Sequence, residues 1–238
     1  MFTALITGGS RGIGAATVRA FCAAGYRTAF FYFRSGEAAQ ALAAETGAYA
    51  IRCDVRDSAS VSAACAEAKK LLSHIDVLVN NAGIAQQKLF TDVTDEDWRN
   101  MLDSNLSGAF YASRAVLPQM ISRRYGRIIN VGSIWGQVGA SCEVHYSAAK
   151  AGLIGLTKAL AKEVAPSGVT VNCICPGVIE TDMLSSFTKE DLAALADETP
   201  AGRLGTPEDI AHSVLWLADE RSGFVTGQII GVNGGFGE

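Results

Sequence analysis

The sequence predicts an α/β chain built on one doubly wound parallel sheet, and three observations carry that expectation. Short apolar runs of strand length alternate with stretches whose apolar residues recur every three to four positions, along all 238 residues. No linker, repeat or low-complexity stretch interrupts the alternation, so residues 1–238 read as a single domain. Glycine and polar residues collect where the strand-like runs end, at 8–14, 34, 54, 80–83, 133 and 176–177. In such a sheet those points are the carboxyl ends of the strands, where ligands bind.

Composition narrows the function classes. Apolar residues make up 49% of the chain and charged residues 18%, which allows a sizeable core and argues against disorder. A net charge of -4 disfavours a nucleic-acid partner. The cysteines (Cys22, Cys53, Cys65, Cys142, Cys173, Cys175) show no Cys-x-x-Cys pairing, and His74, His145 and His212 do not cluster with them, so no metal site is expected. Buried, reduced thiols are the expectation, and with them a reducing, cytoplasmic setting. Cys173 and Cys175 are two apart on a strand and should face one side of the sheet. Met1 leads at once into a strand-like run, so no secretory leader is expected. No apolar run approaches the roughly 18–20 residues of a membrane span.

The first strand, 2–6, ends at Thr7 and opens into Gly8-Gly9-Ser10-Arg11-Gly12-Ile13-Gly14. A helix over 15–24 follows and is closed by Gly25. Glycines at 8, 12 and 14 let the backbone approach a pyrophosphate, and the helix N-terminus offers it N–H groups. An ordinary glycine turn is the alternative. The second strand, 28–33, ends at Arg34-Ser35. A dinucleotide site that takes NAD carries an acidic residue about 20 positions past the glycines. Arg34 stands there instead and suits a 2′-phosphate, with Arg11 as a second charge. NADP(H) is therefore expected over NAD(H), against the alternative of a solvated loop arginine.

A helix over 37–46, a strand over 49–53 ending in Asp54-Val55 and a helix over 58–72 come next. The apolar strand 76–79 leads into Asn80-Asn81-Ala82-Gly83, small and amide residues that suit close approach of a cofactor or simply make a turn. Thr94 caps an acidic helix start. That helix should continue through Trp98, Met101, Leu102, Asn105 and Phe110 and stop or bend near Pro118. Asn105, in an apolar stretch, must be hydrogen-bonded if buried. Its role is structural, or it holds a water or kinks the helix.

The strand 127–131 precedes Ser133. Tyr146 and Lys150, four apart, share one helix face. An ammonium near a phenol lowers its pKa from about 10 and prepares it for acid–base work on a carbonyl oxygen. The helix runs on through Leu153, Leu156, Leu160 and Val164 to Pro166 and Gly168, with a buried apolar stripe. A strand over 169–174 ends at Pro176-Gly177. A mobile segment rooted at Thr181-Asp182-Met183, a helix near 189–196, a helix opened by Pro207 and a last strand over 228–232 complete the chain.

Together, Thr7-Gly8-x3-Gly12-x-Gly14, Asn80-Asn81-Ala82-Gly83, Asn105, Ser133, Tyr146-x3-Lys150 and Pro176-Gly177 resemble the short-chain dehydrogenase/reductase family over the whole chain. Residues 200–205 and 232–235 resemble its bacterial 3-oxoacyl-acyl-carrier-protein reductases. The resemblance implies a Rossmann-type fold and a homotetramer built through the helices containing Asn105 and Tyr146 and through the last strand. It implies reduction of a 3-oxoacyl thioester. Tyr146 would be the proton donor, Lys150 would lower its pKa and hold the nicotinamide ribose, Ser133 would bind the substrate oxygen, and Asn105 would position a relay water. It further implies cofactor contacts at Gly8, Ser10, Arg11, Gly12, Ile13, Gly14, Arg34, Ser35, Asp54, Val55, Asn81, Ala82, Gly83, Tyr146, Lys150, Pro176, Gly177, Ile179 and Thr181. Substrate contacts are expected at Ser133, Trp135, Glu143 and Tyr146.

Two departures bear on the substrate. Arg123, Arg124 and Arg127 are candidates to dock an acidic carrier protein, but the turn 166–168 lacks a further arginine. Glu143, three residues before Tyr146, disfavours an apolar acyl chain and suits a substrate ammonium, unless it serves only the helix dipole. Residues 142–145 and 84–90 resemble a branch of the family that reduces an aminopentanone group on a lysine of elongation factor P. A non-enzymatic NADP-sensing scaffold would be expected to have lost part of the set Asn105, Ser133, Tyr146 and Lys150, and all four stand.

Overall fold

The computed structural model of the chain describes residues 1–184 and 187–237. Strand and helix alternate as the periodicity predicts: β1 (Thr3–Ile6), α1 (Gly12–Ala23), β2 (Arg27–Tyr32), α2 (Gly36–Thr46), β3 (Tyr49–Arg52), α3 (Ser58–Leu72) and β4 (Val77–Asn80). Then come α4 (Asp95–Leu102), α5 (Gly108–Arg123), β5 (Gly126–Val131), the short α6 (Trp135–Val138), α7 (Val144–Val164), β6 (Val169–Pro176), α8 (Lys189–Glu198), α9 (Pro207–Ala218) and β7 (Ile229–Val232). The seven strands form one sheet in the order β3-β2-β1-β4-β5-β6-β7, and every neighbouring pair is parallel.

Side-chain alternation along the strands feeds two cores. Leu5, Leu78, Ile128 and Val171 meet α3, α5 and α7 through Val61, Leu72, Val116 and Val164. Ile6, Val79, Ile129 and Ile174 meet α1, α2 and α9 through Val18, Phe21, Leu42 and Val214. Both faces are therefore covered, which is why β4, β5 and β6 carry no exposed residue. A buried polar chain locks the helices to the sheet between these apolar layers. Asn80 Nδ2 donates to Asn130 Oδ1 (2.9 Å) and to Ser113 Oγ (3.1 Å). Asn130 Nδ2 donates to Thr157 Oγ1 (2.8 Å) on α7.

The chain order reverses between β1 and β4, and the two strands part at their carboxyl ends. Thr7 closes the seam there. Its Oγ1 accepts from the N–H groups of Asn81 and Ala82, both at 3.0 Å, while Asn81 Nδ2 donates to the carbonyls of Thr7 (3.1 Å) and Gly8 (3.0 Å).

The expected break near Pro118 falls elsewhere. Pro118 sits inside α5, which continues to Arg123. Pro118 and Arg114, four residues earlier, are both exposed, so the carbonyl left without an amide partner faces solvent and costs little. The irregularity lies instead at Asp103–Ser107, a π-helical turn centred on Asn105. The expected mobile segment falls partly on residues 185 and 186, outside the described residues. Its root forms a 3₁₀ turn over Asp182–Leu184. Among the described residues, no helix is long and apolar enough to cross a membrane.

At the amino end of the sheet, Asp76 is buried and ties β1 to the turn before β4. Its carboxylate accepts from Thr3 N (3.0 Å) and pairs with His74 (3.0 Å) and Arg123 (3.4 Å). Asp76→Ala removes all three links. It should cost about 2–3 kcal/mol in urea unfolding, less than a fully buried pair because Arg123 stays partly in water, with turnover unchanged. A loss below about 0.5 kcal/mol would show that the cluster is not an anchor.

Candidate active site

The candidate site runs along the carboxyl ends of β1 to β6. On the nucleotide side the chain turns tightly from β1 into α1. Gly8 adopts a φ of +66° and Gly12 of +52°. A Cβ on Gly8 would strike Ala82, and one on Gly14 would strike the Gly8 carbonyl and the Asn81 amide. Gly9 was not singled out from the sequence, yet a Cβ there would strike Phe30. The N-cap of α1, Arg11, makes no side-chain hydrogen bond to the helix, so no side chain of its cap occupies the first-turn N–H groups. This cradle fits a pyrophosphate. Thr181 lies over it, its methyl group 3.3 Å from where a Gly12 Cβ would be. Arg11 reaches Asp182 at 3.8 Å, both well exposed.

Arg34 is exposed at the end of β2, and Ser35 begins α2 without a side-chain cap. Asp54 is not free: Arg56 grips its carboxylate at 2.7 Å, and Arg56 also reaches Asn100 at 3.2 Å. That hydrogen-bonded pair, more than Arg34, holds the Asp54 carboxyl below its ordinary range. Arg52 and Arg56 both lie against the Phe33 ring, at 5.7 and 5.6 Å. The strand-end spacing had pointed to Arg34 and Asp54 but not to Arg56, which is local in sequence and only becomes a partner once the β3–α3 turn closes. Val55 packs on Gly108.

On the chemical side, β5 ends at Val131, and Ser133 follows, buried, its Oγ accepting from Trp135 N (3.2 Å). The Trp135 ring meets Phe236 edge-on at 5.7 Å. Gly177 N donates to the Val232 carbonyl and Pro176 O accepts from Ile134 N, which fixes the β6 end beside β7 and α6. Ile179 is buried, bridging to Gly205. Lys150 is buried and its Nζ donates to the Val131 carbonyl at 2.8 Å. Gly83 sits between Lys150 and Asn105: a Cβ there would strike Asn105 Oδ1 and lie 3.6 Å from Lys150 Nζ. Asn105 Nδ2 donates to the carbonyls of Ile84 and Met101, both at 3.0 Å. The amide orientation is thereby set, and Oδ1, buried with no partner among the described residues, points to the Gly83–Lys150 side. A small donor such as water fits that acceptor.

The electrostatics differ from the sequence expectation. Lys150 does not pull the Tyr146 phenol down. Its Nζ is 5.6 Å from the ring centroid and is committed to Val131. Burial pushes Tyr146 up to about 12, opposed by a hydrogen bond with Ser133 and reinforced by the Glu143 and Cys175 side chains. Burial also lowers Lys150 to about 8. Cys173 and Cys175 face the same side, as expected, with sulfurs 3.9 Å apart beneath Gly132. Glu143 begins α7 without capping it, is half-buried, accepts from Gln87 Nε2 at 3.3 Å and is raised by burial.

Arg123, Arg124 and Arg127 do not line this site within the chain. They precede or begin β5, and Arg127 alone is about 13 Å of extended strand from Val131. Arg127 is buried, bonded to the Gly126 and Glu220 carbonyls. In a parallel sheet a residue that starts a strand lies at the end opposite the ligand crevice.

The buried ammonium makes stability pH-dependent. Lys150 titrates near 8 when folded against 10.5 unfolded, so between those values the unfolded chain holds more protons and stability rises with pH. Lys150→Met removes the term. Its stability relative to wild type should be greatest below about pH 8 and fall by about 3 kcal/mol towards pH 10.5, measured by denaturant unfolding. The lost Val131 contact is pH-independent. A flat difference would mean that Lys150 is not desolvated.

Comparison with known proteins accords with this geometry. The family model described as Enoyl-(Acyl carrier protein) reductase matches residues 8–237. The chain is 45% identical to an acetoacetyl-CoA reductase of Shinella zoogloeoides, covering 98% of this chain and 97% of that protein. It is 41% identical to the 3-oxoacyl-[acyl-carrier-protein] reductase FabG of Escherichia coli (strain K12), over 98% of this chain and 96% of that one. It is 42% identical to FabG of Aquifex aeolicus (strain VF5), over 97% and 95%. The chain belongs to the short-chain dehydrogenase/reductase family of oxidoreductases.

Proposed function

We infer that the chain is an NADPH-dependent reductase of a 3-oxoacyl thioester. The observation that carries this reading is the half-buried Tyr146 phenol, hydrogen-bonded with Ser133, with the Lys150 ammonium 5.6 Å from its ring. Full-length relatives named for acetoacetyl-CoA and 3-oxoacyl-acyl-carrier-protein reduction favour the thioester. The glycine cradle and the open N-terminus of α1 fit the pyrophosphate, and Gly83 with Lys150 fits the nicotinamide ribose. When bound, the reduced nicotinamide supplies the hydride.

The chain's own residues hold the ketone and move the proton. Ser133 orients the carbonyl oxygen. Tyr146, raised to about 12, is fully protonated at neutral pH and gives its proton to the developing alkoxide, a stronger base. Lys150 Nζ, held by the Val131 carbonyl beside Gly83, is placed to hold the nicotinamide ribose. Asn105 Oδ1 offers an acceptor to a water that returns the proton.

A second reading, reduction of an aminopentanone-modified lysine on elongation factor P, is favoured by Glu143. Among the described residues its carboxylate makes no ion pair, and it stands half-buried three residues before Tyr146. The ammonium of Lys88, next to Gln87 on the strap, is taken by Asp97 at 2.6 Å. A substrate ammonium would complete the set.

Cofactor oxidation is to be followed with acetoacetyl-CoA and with 5-aminopentan-2-one side by side. Preference for the thioester and loss of at least about 10³-fold in Tyr146→Phe, with cofactor binding kept, is the expected result. Preference for the amino ketone, weakened by Glu143→Gln, would overturn the thioester reading in favour of the second. Unchanged turnover in Tyr146→Phe would overturn the mechanism for both.

Arg34 and Arg11 favour a 2′-phosphate, since both are exposed cations at the nucleotide end. Arg34→Asp should raise the Kd for NADPH about tenfold or more while changing that for NADH about twofold or less, each tenfold being about 1.4 kcal/mol. Equal losses for the two would remove Arg34 from the phosphate site.

A further inference from the structure

His145 precedes Tyr146 and is fully buried, an unusual place for an imidazole that the proposed chemistry does not use. Its Nε2 lies 3.0 Å from Gln86 Oε1. The Gln86 amide is oriented from its other side, where Nε2 donates to Asp97 Oδ1 (3.1 Å). Gln86 oxygen therefore faces the ring, and His145 Nε2 must carry the hydrogen. Asp97 is itself immobilised. It takes Lys88 Nζ at 2.6 Å and closes the α4 capping box with Thr94. The ion pair and the cap hold its carboxyl well below the usual range.

The three residues of 86–88 each meet the turn and first residues of α7. Gln86 meets His145, Gln87 Nε2 donates to Glu143 Oε1 (3.3 Å), and Lys88 N donates to the Cys142 carbonyl (2.7 Å). Cys142 holds a φ of +62°, a strained value for a non-glycine residue. The same strap is rooted at Ile84, whose carbonyl accepts from Asn105. Beyond the links it presents Leu89 and Phe90, 61% and 66% exposed. The strap thus spans from Asn105 to the residues flanking Tyr146.

We propose that Gln86 and His145 are positioning residues that latch the 84–90 strap to the start of α7, and so set affinity for the ketone rather than the rate of its reduction. The latch rests on the reading that the ketone reaches Tyr146 between the strap and the 138–143 turn. It acts through Tyr146's neighbours and touches no reacting atom. Loss of the His145–Gln86 bond leaves the strap held to the start of α7 only through the Gln87–Glu143 and Lys88–Cys142 bonds, and loosens the turn that carries Glu143.

Steady-state kinetics of Gln86→Leu, His145→Leu and His145→Gln test this, with whichever of acetoacetyl-CoA and 5-aminopentan-2-one the wild type reduces. The expected result for Gln86→Leu is a rise of about tenfold in the ketone KM, the loss of about one buried hydrogen bond, with kcat within about twofold and the NADPH Kd unchanged. His145→Gln keeps an N–H donor and should restore the ketone KM to within about twofold of wild type. The double variant Gln86→Leu/His145→Leu should be no worse than either single one. Hydrogen exchange on the same proteins should show the Lys88 amide losing protection in Gln86→Leu alone among the amides of the site. An unchanged ketone KM, additive single effects, or a parallel fall of kcat, cofactor affinity and thermal stability would each overturn the latch. Failure of the wild type to reduce either ketone would count against the proposed substrates, and the exchange comparison would then decide the latch by itself.

Discussion

A buried ammonium sets the terms for the rest of the site. Lys150 lies in the interior with one backbone carbonyl, that of Val131, as its hydrogen-bond acceptor. A charge so placed is costly unless the structure around it is rigid and polar at the right points. The end of β5 supplies the carbonyl and the buried Asn80–Asn130–Thr157 chain fixes α7 against β5. Gly83 lets the backbone pass close to Nζ where any side chain would collide with Asn105. Removing water from Lys150 and Tyr146 together moves their proton affinities apart, to about 8 and about 12. Burial disfavours the charged form of each group, so the phenol keeps its proton while the ammonium gives its own up more readily.

The π-helical turn at Asp103–Ser107 belongs to the same arrangement. An uninterrupted helix would bond each amide to the carbonyl four residues earlier and leave Asn105 no reason to face the crevice. The widened turn spends regular hydrogen bonding to aim the side chain, and the Asn105 amide recovers part of it through the Met101 and Ile84 carbonyls. One residue thereby joins the kinked helix to the root of the strap that flanks Tyr146. Pro118, the residue that looks most disruptive, changes little because it lies on a solvated face.

Charge is distributed unevenly between the two ends of the sheet. The arginines at the start of β5 serve the amino end, where Arg123 pairs with Asp76 and Arg127 is buried. On the strap beside α7, Lys88 is already paired with Asp97, and the half-buried Glu143 has no ion pair among the described residues. Affinity for an acidic carrier and affinity for a substrate ammonium make opposite demands on that region. Similarity over the full chain favours the first and this local chemistry the second.

The fold and most site positions were legible because they follow from local physics. Strand ends must carry the ligand-facing residues of a parallel sheet, so Gly8, Asn81, Ser133 and Gly177 could be placed from the alternation alone. Helix periodicity put Tyr146 and Lys150 on one face. The α4 start, with Thr94 as its cap, is likewise written in short-range chemistry. Long-range contacts were not legible. Arg56 on Asp54, Thr7 across to Asn81, and Gln86 with His145 depend on which turns come to lie side by side, and no spacing rule encodes that. The sign of the Tyr146 shift was misjudged for the same reason. Sequence spacing brings Lys150 near, but the depth of burial and the pull of the Val131 carbonyl decide what its charge can do. The sequence by itself determined the sheet, the crevice and the placing of Tyr146 and Lys150 on one helix face, because periodicity and strand-end chemistry are local. Only the tertiary structure decided their protonation, their partners and the polarity of the approach, because desolvation and pairing are properties of the packed whole.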